Sequence, residues 1–233
     1  MKKVYGSGLM VFFILAIVEM AALVVADCTH EAAAYSIARW VKPLLMPSLA
    51  IAALLDGQIS RRTARFILCA LIFHATGDIL LLFSGENYFI AGIGAFFIGH
   101  ILYLVSLWSL LDGIKPAGKI GIIALTAGLA VGLMLPYRIS GFLKICAYIY
   151  GATLLSLVSF SLTGLIRGHR NAVLSLIGGV LFVISDSLIA VSAFHSLHLP
   201  FHDSLIMLTY LAAQFLIVIS FRERRGVSTI QVL

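Results

Sequence analysis

Long apolar runs alternate with short polar segments along the whole chain. Eight runs stand out, at about 8–26, 41–55, 64–83, 88–111, 118–135, 142–166, 172–194 and 203–221. A helix needs about 20 apolar residues to cross a hydrocarbon core about 30 Å thick, and most of these runs reach that length. The pattern predicts an all-α polytopic membrane protein with eight transmembrane helices, residues 1–233 forming one transmembrane domain. The second run is short and contains Pro43 and Pro47. It is expected to be broken or tilted, its freed carbonyls satisfied by neighbouring helices, with Glu31 to Trp40 lying at the interface before it. The first run follows Lys2 and Lys3, as a signal peptide would. However, Leu9 to Ala26 is longer than a usual signal h-region and carries Glu19, so it reads as a retained helix.

Composition strengthens the membrane reading. Of 233 residues, 61% are hydrophobic and 11% charged, and the mean hydropathy is +1.09. These values lie outside the range of a soluble domain and leave little chain for one. Charge placement then gives an orientation. Of the sixteen Lys and Arg residues, only Arg39, Lys42, Arg138 and Lys144 fall on one side of the predicted spans; the rest fall on the other. Both termini are therefore expected in the cytoplasm, with a bacterial inner membrane as the location. The net charge of +6 follows from this distribution, and no motif points to nucleic acid. Cys28, Cys69 and Cys146 are scattered without metal-ligand spacing and receive no role.

A faint duplication is visible. Aligning Asp78 with Asp186 brings Leu80 onto Leu188 and the helix of His100 and Tyr103 onto that of Tyr210 and Gln214, and Lys42 and Lys144 both sit near the outer start of the preceding helix. Four helices plus four would form a parallel repeat about an axis along the membrane normal.

Candidate chemistry lies in the polar residues inside the apolar runs. Asp78 in HATGDILL and Asp186 in VISDSL each stand alone among apolar neighbours. An intramembrane carboxyl is costly and rarely faces lipid, which makes it a functional-site hypothesis. At 1.5 Å per residue, Asp78, Asp186 and Glu19 fall roughly 8–12 Å below the outer surface, with Tyr210 at similar depth. Lys42 and Lys144 lie above them, and His100, Tyr103 and Gln214 nearer the midplane. The pattern predicts a cavity open to the outer leaflet, cationic at its mouth and acidic further down, suited to an amphiphile with an anionic head among the membrane lipids. Structural readings stand beside these. The aspartates could bond to neighbouring helices or to Lys42. Lys42 and Lys144 could snorkel to the interface. His100 and Tyr103 could make an ordinary interhelical hydrogen bond. His74 reads as a satisfied core histidine, and Gly92, Gly94, Gly99, Gly178 and Gly179 as points of close helix approach. His195, His198 and His202, with Asp203, have spacing a zinc site could use, although a solvated loop around Pro200 accounts for them as well.

The segments Lys42-Pro43-Leu44, Gly77-Asp78, Gly99-His100-Ile101-Leu102-Tyr103, Phe182-Val183-Ile184-Ser185-Asp186 and Thr209-Tyr210-Leu211-Ala212-Ala213-Gln214 followed by Ser220 occur in this order. Together they resemble the lysoplasmalogenase (YhhN-like) family of integral membrane hydrolases over about residues 40–221. The resemblance implies eight helices and cleavage of the vinyl ether bond of lysoplasmalogens, lysophospholipids that yield a fatty aldehyde and glycerophosphocholine or glycerophosphoethanolamine. It places the catalytic pair on Asp78 and Asp186 and the other motif positions on Lys42, His100, Tyr103, Tyr210 and Gln214. Glu19, outside these motifs, joins the substrate-binding set by its depth alone. Where members often carry two tyrosines in the last helix, this chain has Tyr210-Leu211.

Such chemistry needs no carbonyl attack. A vinyl ether is protonated at the carbon distal to oxygen, and water captures the resulting oxocarbenium ion. Two carboxyls sharing a poorly solvated pocket can supply one neutral acid and one anion, with no metal or other cofactor. Two alternatives remain open from the sequence: a zinc-dependent lipid amidohydrolase of the ceramidase type, and a lipid or ion transporter that uses the aspartates as proton or cation sites.

Overall fold

A computed structural model describes residues 2–134, 141–195 and 199–222. The described chain is helical almost throughout: α1 (Lys2–Thr29), α2 (Ala32–Leu55), α3 (Arg61–Leu80), α4 (Glu86–Leu107), α5 (Pro116–Met134), α6 (Gly141–Ile166), α7 (Ala172–His195) and α8 (His202–Ser220), with a 3-10 turn at Trp108–Leu111 after α4. These match the eight expected runs. Seven of them are long and apolar enough to cross a membrane, and the described apolar part of α5, Pro116–Gly132, is shorter.

Hydrocarbon offers no partner for backbone amides, so continuous helices are the natural state of such runs. Their ends use local devices. Ser60 caps α3 by accepting from the Thr63 amide at 3.2 Å. The start of α8 is capped from a distance: Asp27, near the end of α1, accepts from the Ser204 amide at 3.2 Å and from its hydroxyl at 2.5 Å.

One expectation is corrected here. The second helix is neither short nor broken, and Glu31 to Trp40 is not a separate interfacial segment. α2 runs unbroken from Ala32 to Leu55 through both prolines, with Glu31 at its N-cap. A proline removes one amide and crowds the carbonyl four residues back, and each ring here is tolerated because α2 is packed between α1 and α3.

Consecutive packing of α1, α2, α3 and α4, then α4 on α6, α6 on α7, α7 on α8 and α8 back on α1 closes a ring of seven helices. α5 lies outside this ring, against α6. Among its described side chains only Thr126 and Ala130 are buried. α1 is in the ring and α5, its counterpart in a four-plus-four duplication, is not, so the packing gives that repeat no support.

Glycines let the ring close tightly. A Cβ on Gly99 would stand 2.4 Å from the His74 ring, and one on Gly178 would stand 2.7 Å from Ile217. Gly92 and Gly179 likewise face neighbouring helices, at 3.0 Å from Leu81 and 3.3 Å from the Val158 amide nitrogen. Gly94 does not: nothing lies within 4 Å of its would-be Cβ, and its expected role in helix approach is withdrawn.

Candidate active site

The interior of the ring carries a line of polar contacts between helices that are not neighbours in sequence. Asp78, 2% exposed, lies two residues before the end of α3 at Leu80. Its Oδ2 accepts from the Tyr210 hydroxyl of α8 at 2.8 Å. Its Oδ1 lies 3.7 Å from the Lys42 Nζ of α2. Deeper in, the Tyr103 hydroxyl of α4 donates to Gln214 Oε1 of α8 at 2.6 Å, and both residues are fully buried. The spacing of Tyr210 and Gln214, one turn apart, is what lets α8 meet both α3 and α4.

Asp186, on α7, is held differently. The Tyr150 hydroxyl of α6 donates to its Oδ2, and the Asp78 carboxyl lies within electrostatic reach across the interior. Asp186 and Tyr150 are each partly buried. Ser185, beside Asp186, donates to the Ile206 carbonyl of α8 at 3.2 Å.

Aromatic rings form the floor. His74 is fully buried, its Nδ1 2.7 Å from the Ala70 carbonyl one turn back. Its ring stacks with Tyr103 and Phe182 at centroid distances of 5.3 and 5.7 Å and meets the His100 edge at 4.9 Å. His74 therefore packs the floor and makes no bond to Asp78; its Nε2 has no partner. His100 is 1% exposed. Neither of its ring nitrogens makes a well-formed hydrogen bond, although the Phe96 carbonyl one turn back is near. A buried imidazole left so is expected to hold water or a ligand atom.

These side chains surround space. A small cavity of about 20 Å³ is lined by Lys42, Asp78, Phe96, His100, Asp186 and Tyr210, among others. Its apolar wall, Leu81, Ile189, Ile206 and Met207, continues with Lys42 into an open vestibule of about 820 Å³. Glu19 of α1 lines the vestibule while only 1% exposed. Its Oε2 has no hydrogen-bond partner, and it lies within electrostatic reach of Lys42 and Asp78.

Of the residues expected from the sequence, Asp78, Asp186, Lys42, His100 and Tyr210 thus meet at one cavity, and Glu19 joins them from above. Tyr103 and Gln214 stand behind that lining. Lys144, expected at the mouth, lines neither space; its Nζ sits 5.7 Å from the Tyr148 ring centroid on an exposed part of α6. His198 and the side chain of His195 lie outside the described residues. His202 lines the vestibule. Among the described residues no three His, Cys, Asp or Glu side chains could hold a metal ion together.

Tyr150 was not anticipated. Its only signal in the sequence is a phenol in the middle of an apolar helix, a group that needs a partner when buried. Nothing in ICAYIYGAT singles it out from Tyr148.

A ring of apolar helices enclosing a polar chamber that opens at one end defines a polytopic integral membrane protein, and the comparisons make it an enzyme of the hydrolase class. Residues 37–221 match the YhhN family. A protein from Bos taurus named lysoplasmalogenase TMEM86A is 29% identical over 182 residues, covering 72% of this chain and 69% of the relative. The Homo sapiens protein of the same name is 29% identical over 177 residues, again covering 72% and 69%. No solved structure matches the chain. The chain belongs to the YhhN family.

Proposed function

We propose that this protein is a lysoplasmalogenase, hydrolysing the vinyl ether bond of a lysophospholipid with Asp78 and Asp186 as its acid/base pair. The observation that carries the reading is their convergence from α3 and α7 on one small cavity beneath an open, cation-bearing vestibule. The names of the two relatives supply the substrate class.

In the reaction, one carboxyl gives its proton to the alkenyl carbon distal to oxygen, and the carbon attached to oxygen becomes an oxocarbenium centre. The other carboxylate takes a proton from water as that water adds to the centre. The hemiacetal then collapses: its carbon to glycerol-oxygen bond breaks, the oxygen is protonated, and a fatty aldehyde and a glycerophospho head group leave. The sum is addition of one water and no redox change. Lys42 and Glu19 line the approach, and Tyr210 fixes the orientation of Asp78. His100, at the cavity wall without a well-formed hydrogen bond on its ring, binds the attacking water or the ether oxygen. Tyr103 and Gln214, bonded to each other, brace Tyr210 from behind. By the distribution of Lys and Arg, the vestibule faces away from the cytoplasm.

Purified protein in detergent, given a lysoplasmalogen and its ester analogue with aldehyde and fatty acid measured separately, tests this directly. Aldehyde from the first and no fatty acid from the second is the expected result. Fatty acid release, or no product from either, overturns it.

A further inference from the structure

The vestibule above the carboxyl pair is graded in charge. Its polar wall comes from one face each of α1, α2 and the start of α8, with the end of α3 and α7 closing the other side through Leu81, Leu82, Ile189 and Ser192. α1 contributes Glu19, Leu23 and Asp27 at helical spacing, and α2, running the opposite way, contributes Tyr35, Arg39 and Lys42. The deepest level holds Lys42 with Glu19. Above it stands Arg39. At the rim, Asp27, Tyr35 and the α8 residue Asp203 come together, close enough for both carboxylates to act electrostatically on the Tyr35 hydroxyl. Moving outward from the aspartate pair, the wall carries Lys42 beside Glu19, then Arg39, then the carboxylates of Asp27 and Asp203.

We infer that this vestibule is a two-part head-group site: Lys42 and Arg39 take a phosphate, and Asp27, Asp203 and Tyr35 take the ammonium beyond it, selecting zwitterionic over purely anionic lysophospholipids. The inference rests on the proposed substrate class and adds how its head is recognised.

Three observations favour it over a merely solvated acidic rim. Arg39 and Asp203 form no ion pair with one another or with any other described residue, so opposite charges share one pocket without neutralising each other. Glu19, only 1% exposed, lines the same space and keeps a buried carboxylate oxygen without a hydrogen-bond partner, a sign that a polar guest completes the wall. Asp27 is fixed in place by its two bonds from Ser204, which orders the rim before any ligand arrives. The separation also fits. Tyr35 and Lys42 are two turns apart, about 10 Å along α2, a span that accommodates a phosphate and the ammonium that follows it while the ether linkage reaches the carboxyls below.

The rim does this work only if it reads the ammonium. Binding of glycerophosphocholine and of glycerol 3-phosphate to full-length protein in detergent, by titration calorimetry, isolates the head group from turnover. Asp203→Asn and Tyr35→Phe should each lower the affinity for glycerophosphocholine about tenfold relative to that for glycerol 3-phosphate, the scale of one charge-assisted contact. Arg39→Gln should weaken both ligands alike. If Asp203→Asn shifts the two affinities by the same factor, Asp203 merely favours the α8 N-terminus and the ammonium subsite is wrong. Wild-type protein that binds glycerol 3-phosphate as well as glycerophosphocholine also overturns it. Loss of aldehyde release with head-group discrimination intact would strike the proposed reaction and leave the subsite standing.

Discussion

The two buried aspartates look alike in the sequence and are held in unlike ways. Asp78 is almost sealed and has a counter-charge, Lys42, together with a tyrosine from the far side of the ring. Asp186 is more open, and among the described residues its donor is a neutral one, Tyr150, from the adjacent helix. A carboxylate beside an ammonium is favoured as the anion, and a carboxyl with only a phenol for company has no such support. Similar motifs on corresponding helices have therefore been given different neighbours, and an acid/base pair needs that inequality. In the proposed reaction Asp78 serves as the standing anion and Asp186 as the proton donor.

The largest test removes either carboxyl. Asp78→Asn and Asp186→Asn should each reduce aldehyde release about 10²–10⁴-fold, the usual contribution of a positioned acid or base, with detergent-purified protein still monodisperse on gel filtration. Near-normal turnover from both variants would remove the pair from the mechanism. Next in size, Lys42→Met leaves the buried Asp78 without its counter-charge, which costs about 3–5 kcal/mol when a buried pair loses one partner. The expected outcome is a fall in kcat of more than tenfold and a lower unfolding temperature. An unchanged kcat would mean that Lys42 does not distinguish the two aspartates.

The tyrosines sharpen the same contrast. Tyr150→Phe deletes the hydroxyl that bonds Asp186, whereas Tyr210→Phe leaves Asp78 its lysine. The first should therefore lower kcat about tenfold, one hydrogen bond to a charged or reacting group, and the second by less. The reverse order would invert the roles assigned above. Smallest of all, Lys144→Met should change activity by less than about twofold and stability by less than about 0.5 kcal/mol, as an exposed side chain touching neither cavity should. A large loss would restore Lys144 to the mouth of the chamber, where the sequence placed it beside Lys42.

The helices were legible because hydrocarbon allows so few alternatives: eight apolar runs become eight helices whatever their detailed residues. Asp78 and Asp186 were legible for a related reason, since a lone carboxyl in such a run needs an explanation. What escaped was azimuth, the direction each helix face points. Tyr150 and Tyr148 are equally aromatic in the sequence, and only the rotation of α6 puts one on Asp186. Lys42 and Lys144 sit at matching depths, yet only α2 turns its lysine inward. α5 has the hydropathy of its neighbours but stands outside the ring, because composition alone does not say which apolar helix meets protein and which meets lipid. The prolines misled for the opposite reason: they mark a local weakness in α2 that packing on both sides outweighs.

The seal between Asp27 and Ser204 joins the first helix to the last, and this sets a schedule for biogenesis. Ribosomes deliver the spans in order, so the third helix enters the bilayer with Asp78 long before the eighth brings Tyr210. Throughout that interval the nascent chain holds charged groups in lipid with an unfinished wall beside them. The chamber becomes competent in a single late event, when α8 slides between α7 and α1.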